Sequence, residues 1–153
     1  MKQGIEGQFA SGFARWVVGA ALAVLAVGGA NAQTKLKFAH VSEVSEPYHT
    51  AALWAAGEVA KRTGNRYTME VFPASTLGKE TDINQGLTLG TVDIIYTGQL
   101  FAGRNYGPIA IGGAPYMFRD FNHWKAYGNS SLFQDISEGY LKKSGNKVVA
   151  ITY

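Results

Sequence analysis

The stretch VFPASTLGKE, residues 71–80, joins two kinds of structure. With the residues before it, YTMEVF (67–72) alternates apolar and polar positions, as a half-buried strand does. Pro73 has no N–H to give a ladder and ends the strand. A small polar loop follows, and Gly78-Lys79 opens a helix expected from about Lys79 to Leu89, closed by Gly90. A Gly-Lys pair before a helix also occurs in phosphate-binding loops, which need G-x-x-x-x-G-K-[ST]. Here Pro73 stands where the first glycine belongs, and Glu80 where the hydroxyl belongs. Proline offers a phosphate no N–H and a carboxylate repels it, so the stretch reads as a strand-to-helix turn. Leu77 is expected to pack under the turn, and Glu80 to sit in the first helical turn, where a carboxylate is favoured.

Strand and helix alternate outward from this point. KLKFA (35–39) reads as a short strand, followed by turn-like HVSEVSEP (40–47). Glu46 or Ser45 is the expected cap of the next helix, and Pro47 suits its first turn. That helix, YHTAALWAAGEVAKRTG (48–64), puts Ala52, Ala55, Ala56, Val59 and Ala60 on one face, which suits close packing on a sheet. VDIIYT (92–97) is nearly continuously apolar, as a strand buried on both faces is. GQLFAGRNYGPIAIGGAPYMF (98–118) is too Gly-rich for one helix and reads as a loop with a short helical turn and an apolar segment. Residues 119–145 give one or two helices, the second starting at Asn129 or Ser130 and closed by Gly145, and KVVAITY (147–153) is expected as a final strand. The order predicts an α/β fold, an open, mostly parallel sheet with helices on both faces. Such sheets bind ligands beyond the carboxyl ends of their strands. This selects HVSEVSE, TGQLF and the loop after Phe72. Because the chain stops inside an apolar strand, it is expected to be the N-terminal part of a longer protein.

Composition narrows the class. At 153 residues the chain is long enough to bury a core, and 46% hydrophobic against 16% charged residues argues against disorder. The net charge is +3, with basic pairs only at Lys61-Arg62 and Lys142-Lys143, both at expected helix ends, so no nucleic-acid partner is indicated. Residues 1–32 read as a secretory signal peptide. Lys2 and Arg15 precede the apolar run WVVGAALAVLAVGG (16–29), and ANA (30–32) forms a cleavage site, placing the cut near Ala32-Gln33. The run is too short for a spanning helix, which needs about 20 apolar residues. The expected mature protein, 33–153, is exported, not membrane-spanning, and free of cysteine, so it has no disulfides, no thiolate metal site and no lipid anchor on a cysteine.

Candidate chemistry is modest. His40, Ser42 and Glu43 share one loop, but no G-x-S-x-G elbow occurs, and a polar turn is the simpler reading than a nucleophile. His40, His49 and Glu43 are weak candidates for a metal site. Of Glu43 and Glu46, one is expected to cap the helix and the other to accept ligand hydroxyl or ammonium groups. The match of NSS (129–131) to a glycosylation acceptor is too short to carry weight. Among the clustered aromatics, Phe118, Phe121 and Trp124 are expected in the core. Tyr96, beside Thr97 and Gln99 at the end of the third strand, suits a pocket wall.

KLKFAHV after a signal peptide, VAKRTG, MEVFPASTLGKE, GLTLGTVDIIYT and APYMFRD occur in this order. Together they resemble the dicarboxylate-binding (DctP) type of solute-binding protein of tripartite ATP-independent periplasmic (TRAP) transporters, over essentially all of residues 35–153. The resemblance implies most of the first lobe of a two-lobed, type II-like periplasmic binding protein. Such a receptor closes on a small organic acid (a C4-dicarboxylate, a sugar acid or a similar carboxylate) and hands it to TRAP membrane permease subunits for ion-gradient-driven uptake. It is a transport receptor without a cofactor, not an enzyme. The loops that match the family's first-lobe side of the cleft hold His40, Ser42, Glu43, Tyr96, Thr97, Gly98 and Gln99 as ligand-binding residues. In some relatives a ligand-touching glutamate stands at the position of Gly98, so glycine alters the pocket. The family's carboxylate-anchoring arginine would lie beyond Tyr153; Arg62, Arg66, Arg104 and Arg119 do not match it. Weak or no ligand affinity is therefore expected of residues 33–153 alone. The rival readings are the receptor of an ATP-driven importer and a secreted α/β hydrolase.

Overall fold

The computed structural model describes residues 32–152. The basic start, the apolar run and most of the cleavage site of the expected signal peptide lie outside the described residues, as does Tyr153. Three strands, β1 (Thr34–Ala39), β2 (Tyr67–Phe72) and β3 (Ile94–Ile95), form a parallel sheet in the order β2-β1-β3. The register aligns Phe38 with Val71 and Ile94, and Ala39 with Phe72 and Ile95.

Parallel neighbours need crossovers, which α1 (Pro47–Arg62) and α2 (Glu80–Leu89) supply. The step from β1 to β2 goes one way across the sheet and the step to β3 passes back over β1. Right-handed connections then put the two helices on opposite faces. Burial agrees, since the successive residues Phe38 and Ala39 point to opposite faces and are 5% and 1% exposed. On the α2 face Ala39, Ile83 and Val92 form a core cluster with Val41, Phe72 and Ile95 packed against it. Burying a side chain such as Ile83 stabilises by about 1.5–3 kcal/mol.

Local chemistry sets the helix limits. Pro47 opens α1, Ala52 is fully buried, and Lys61 and Arg62 occupy the last turn. Glu46 is the N-cap residue, but its carboxylate accepts from the Glu43 amide at 3.1 Å and not from a helix amide. At α2 the Asp82 carboxylate accepts from the Lys79 amide at 2.9 Å, and Gly90 closes the helix in the left-handed region. Leu77, expected under the preceding turn, is 37% exposed.

After β3 come α3 (Gln99–Ala102), a 3-10 segment (Gly107–Gly113), α4 (Phe121–Gly128) and α5 (Ser131–Ser144). Asp120 and Ser130 cap α4 and α5 with their side chains. A second core cluster joins Ala102, Ile109, Ile136 and Tyr140, with Tyr106, Ile111 and Val148 against it. Asn146, 8% exposed, ties this region to α2 by donating to Thr88 Oγ1 at 3.0 Å.

The third strand, expected over 92–97 and buried on both faces, is only Ile94–Ile95 and half-buried, because β3 is an edge of the described sheet with a neighbour on one side alone. Two further expectations differ from the structure. Residues 147–152 form no strand. Val148 still packs against the core, while Val149 is 89% exposed and Ala150 is exposed as well. A strand, however, is made by its ladder, and no described strand pairs with this segment. Phe121, expected in the core, is 50% exposed and stacks on Trp124 with ring centres 5.9 Å apart.

Candidate functional site

The carboxyl ends of the strands bring three segments together. β1 passes into the loop that starts at His40, whose amide donates to Phe72 O at 3.0 Å. The turn after β2 then bends back onto this loop. Ala74 N donates to Ser42 O at 3.0 Å and Ser75 N to His40 O at 3.3 Å. Ala74 and Ser75 have φ of 49° and 58°, left-handed values that side chains resist. The two bonds to the β1 loop help to hold that conformation. On the other side of β1, Tyr96 N donates to Ala39 O at 3.1 Å.

His40 lies at the centre and is 1% exposed. Its Nε2 is 3.2 Å from Nδ1 of His49, in the first turn of α1. The His40 Nδ1 atom is buried with no hydrogen bond of good geometry. Burial pushes the His40 pKa down from the ordinary 6.5, and the His49 ring pushes the same way; the Ser42 backbone and the Glu46 carboxylate pull against them. Aromatic rings surround the pair. Tyr96 lies 6.4 Å from His40, 5.2 Å from Phe38 and 5.7 Å from Tyr48, measured between ring centres.

The loop after β3 is fixed by a residue of the 71–80 stretch. Glu80 Oε1 accepts from Gly98 N at 2.5 Å and from Thr97 Oγ1 at 3.0 Å. Asn84, one helical turn further on, donates to Thr97 Oγ1 at 2.7 Å and to Glu80 O at 2.7 Å. A carboxylate in the first turn of a helix is favoured by the helix dipole, and here it also holds a neighbouring loop. Glu80 Oε2 has no hydrogen-bond partner among the described residues.

Of the residues expected at the site, His40, Ser42, Tyr96, Thr97 and Gly98 lie in these linked segments. Glu43 lies in the β1 loop and is exposed, its amide donating to the Glu46 carboxylate. Gln99 turns away: its side chain packs against Gly112, where any Cβ would collide with it, and its Oε1 is buried without a partner. Glycine is not forced at position 98, where φ is −68° and an added Cβ would meet Glu80 Oε1 and Phe101 at an ordinary 3.5 Å.

Sequence reasoning missed Glu80, Asn84 and Tyr48, and weighed His49 only as a metal ligand. A usable signal was the position of Glu80 and Asn84, one turn apart at the start of a helix that faces the strand ends. A shallow concavity on α1, lined by Ser45, Pro47, Thr50, Ala51 and Trp54, includes none of the expected residues. The strand-end segments remain the candidate site because they converge polar groups and aromatic rings on one place. Among the described residues no cluster of His, Asp and Glu has metal-site geometry. No described helix is long and apolar enough to cross a membrane.

Residues 38–153 match the family described as bacterial extracellular solute-binding protein, family 7, DctP. A solute-binding protein of Roseobacter denitrificans is 31% identical over 131 residues, covering 84% of this chain and 40% of the relative. The crystal structure of a TRAP periplasmic solute-binding protein of that organism, with bound L-galactonate, is 28% identical with a TM-score of 0.69, covering 73% of this chain and 37% of that one. Another, from Polaromonas sp. JS666 and bound to D-erythronate, is 28% identical with a TM-score of 0.70, covering 76% of this chain and 38% of that one. The chain thus spans about two-fifths of the length of the curated relatives it matches.

Proposed function

From the premise that the chain belongs to the DctP family of bacterial extracellular solute-binding proteins, family 7, we propose that it is the first-lobe part of a TRAP receptor for a small organic acid. It is exported to the periplasm with cleavage near Ala32-Gln33, captures the acid, and delivers it to the TRAP permease subunits for ion-gradient-driven uptake. Its role is binding, as in its relatives, and not turnover.

Ligand contacts fall to His40, Ser42, Glu43, Tyr96, Thr97 and Gly98, with Gln99 bracing the rim from below. Glu80 joins them, and Tyr48 and His49 line the edge. The observation that carries the reading is the free oxygen of Glu80 beside a loop that its other oxygen already holds. A fixed carboxylate accepts hydrogen bonds from ligand hydroxyls and repels a second carboxylate. It therefore favours a hydroxylated acid over a dicarboxylate at this end of the cleft. The hydroxylated acids bound to the Roseobacter and Polaromonas relatives support the same class.

The test is a thermal-shift screen of the receptor with its second lobe against L-galactonate, D-erythronate and succinate. A ligand present at 100 times its Kd stabilises the folded state by about 2.7 kcal/mol, enough to raise Tm by several degrees. A rise with the hydroxylated acids above that with succinate supports the reading. No shift with any organic acid abandons it.

A further inference from the structure

The His40–His49 contact is partly buried, with His40 the enclosed ring and His49 the outer one. We propose that the two rings form a single-proton unit, which takes up one proton and not two and holds it at His49, the ring that solvent reaches. The inference rests on the receptor reading only for its consequence, a cation offered to an anionic ligand.

A contact of 3.2 Å between His40 Nε2 and His49 Nδ1 is a hydrogen bond if one nitrogen carries a proton and the other does not. Two protonated rings would turn N–H against N–H and put two charges 5.4 Å apart between ring centres. One proton is therefore compatible with the contact and two are not. The choice of ring follows from burial, because His40 is 1% exposed and His49 is only partly buried.

The surrounding groups fit one charge. Glu46, the N-cap residue of α1, is the carboxylate whose charge acts on His40. Tyr48 of α1 and Tyr96 at the end of β3 bring phenol rings, and Phe38 of β1 an apolar one. The turn after β2 bonds to His40 only through the Ser75 backbone, and the Ser42 backbone lies beside the ring. An organic anion held in the cleft would be attracted by a charge at His49 without its carboxylate having to reach that ring, with the proton drawn from solvent. Affinity for an organic anion then rises as the pair becomes protonated.

The decisive experiment needs no ligand. The histidine ring signals of the full chain are followed by NMR from pH 8 to pH 4.5. The expected result is one proton taken up at His49 while the His40 ring stays neutral, with any second step more than about one pH unit lower. His49→Gln should then let His40 titrate at a higher pH than in the wild type. Two rings titrating independently, or a first proton on His40, overturns the proposal without touching the receptor reading.

A second arm measures L-galactonate binding to the receptor with its second lobe by calorimetry, in buffers of different ionisation enthalpy near pH 7. Proton uptake on binding, lost in His49→Gln, is expected. Binding without uptake overturns the consequence. Absence of binding counts against the receptor reading, and the ligand-free titration still decides the pair.

Discussion

The Glu80 carboxylate and the Gly98 amide are 18 residues apart in sequence and 2.5 Å apart in space. The bond crosses from the first turn of α2 to the loop after β3, so helix and loop move together. A charge-assisted hydrogen bond is worth about 1.5–3 kcal/mol, less where solvent reaches it. Glu80→Ala is therefore expected to cost about 1–2 kcal/mol and to speed hydrogen exchange at the Gly98 amide. Glu80→Gln keeps a carbonyl acceptor and should cost less. Equal exchange in all three proteins would show that the bond does not hold the loop.

Gly78 and Gly57 should respond oppositely to alanine. Gly78 has φ of +116°, and a Cβ there would lie 2.7 Å from Asp82 Cβ, whose carboxylate caps α2. Gly78→Ala should destabilise by roughly 1–3 kcal/mol. Gly57 sits inside α1 with nothing within 4 Å of an added Cβ. Gly57→Ala should stabilise by about 0.5–1 kcal/mol. Urea denaturation of the two variants tests the contrast, and a shift in the same direction would contradict it.

Stability should depend on pH through His40. Its pKa in the folded chain lies below the ordinary 6.5, so the unfolded chain takes up the proton first as pH falls. The contribution is complete above about pH 6.5 and is lost as pH falls through the folded value. The difference in urea midpoint between the wild type and His40→Asn should narrow between pH 7.5 and pH 5. Parallel curves across that range would mean that His40 carries no such linkage.

The buried amide of Asn146 donates to Thr88 Oγ1, and Asn105 donates to the same oxygen at 3.2 Å. Thr88→Val removes the shared acceptor, leaving the Asn146 amide only its longer 3.4 Å bond to the Tyr140 hydroxyl and the Asn105 amide to solvent. It is expected to cost about 1–3 kcal/mol. In a double-mutant cycle with Asn146→Ala the costs should fall short of additive. Full additivity would indicate that the bond carries no energy.

Much of the sheet was legible because each strand and helix announces itself locally. Pro73 and Gly90 mark breaks, and the small residues of α1 mark the face that packs. The strand-end loops were legible for the same reason, since ladder and turn are short-range features. Partnerships between distant segments were not. Nothing in periodicity says that Glu80 reaches Gly98, that Gln99 folds against Gly112, or that His49 meets His40. Residues 147–152 show the converse, because an apolar, β-branched run supplies a strand's composition and not its neighbour.

Residues 39–42 also have a mechanical meaning. Ala39 O takes the Tyr96 amide from one side, while His40 and Ser42 take the Ser75 and Ala74 amides from the other. Four consecutive residues are thus the mortise into which both neighbouring loops are jointed. A push on either loop is borne by the same short length of backbone, so the rim yields as one piece or not at all.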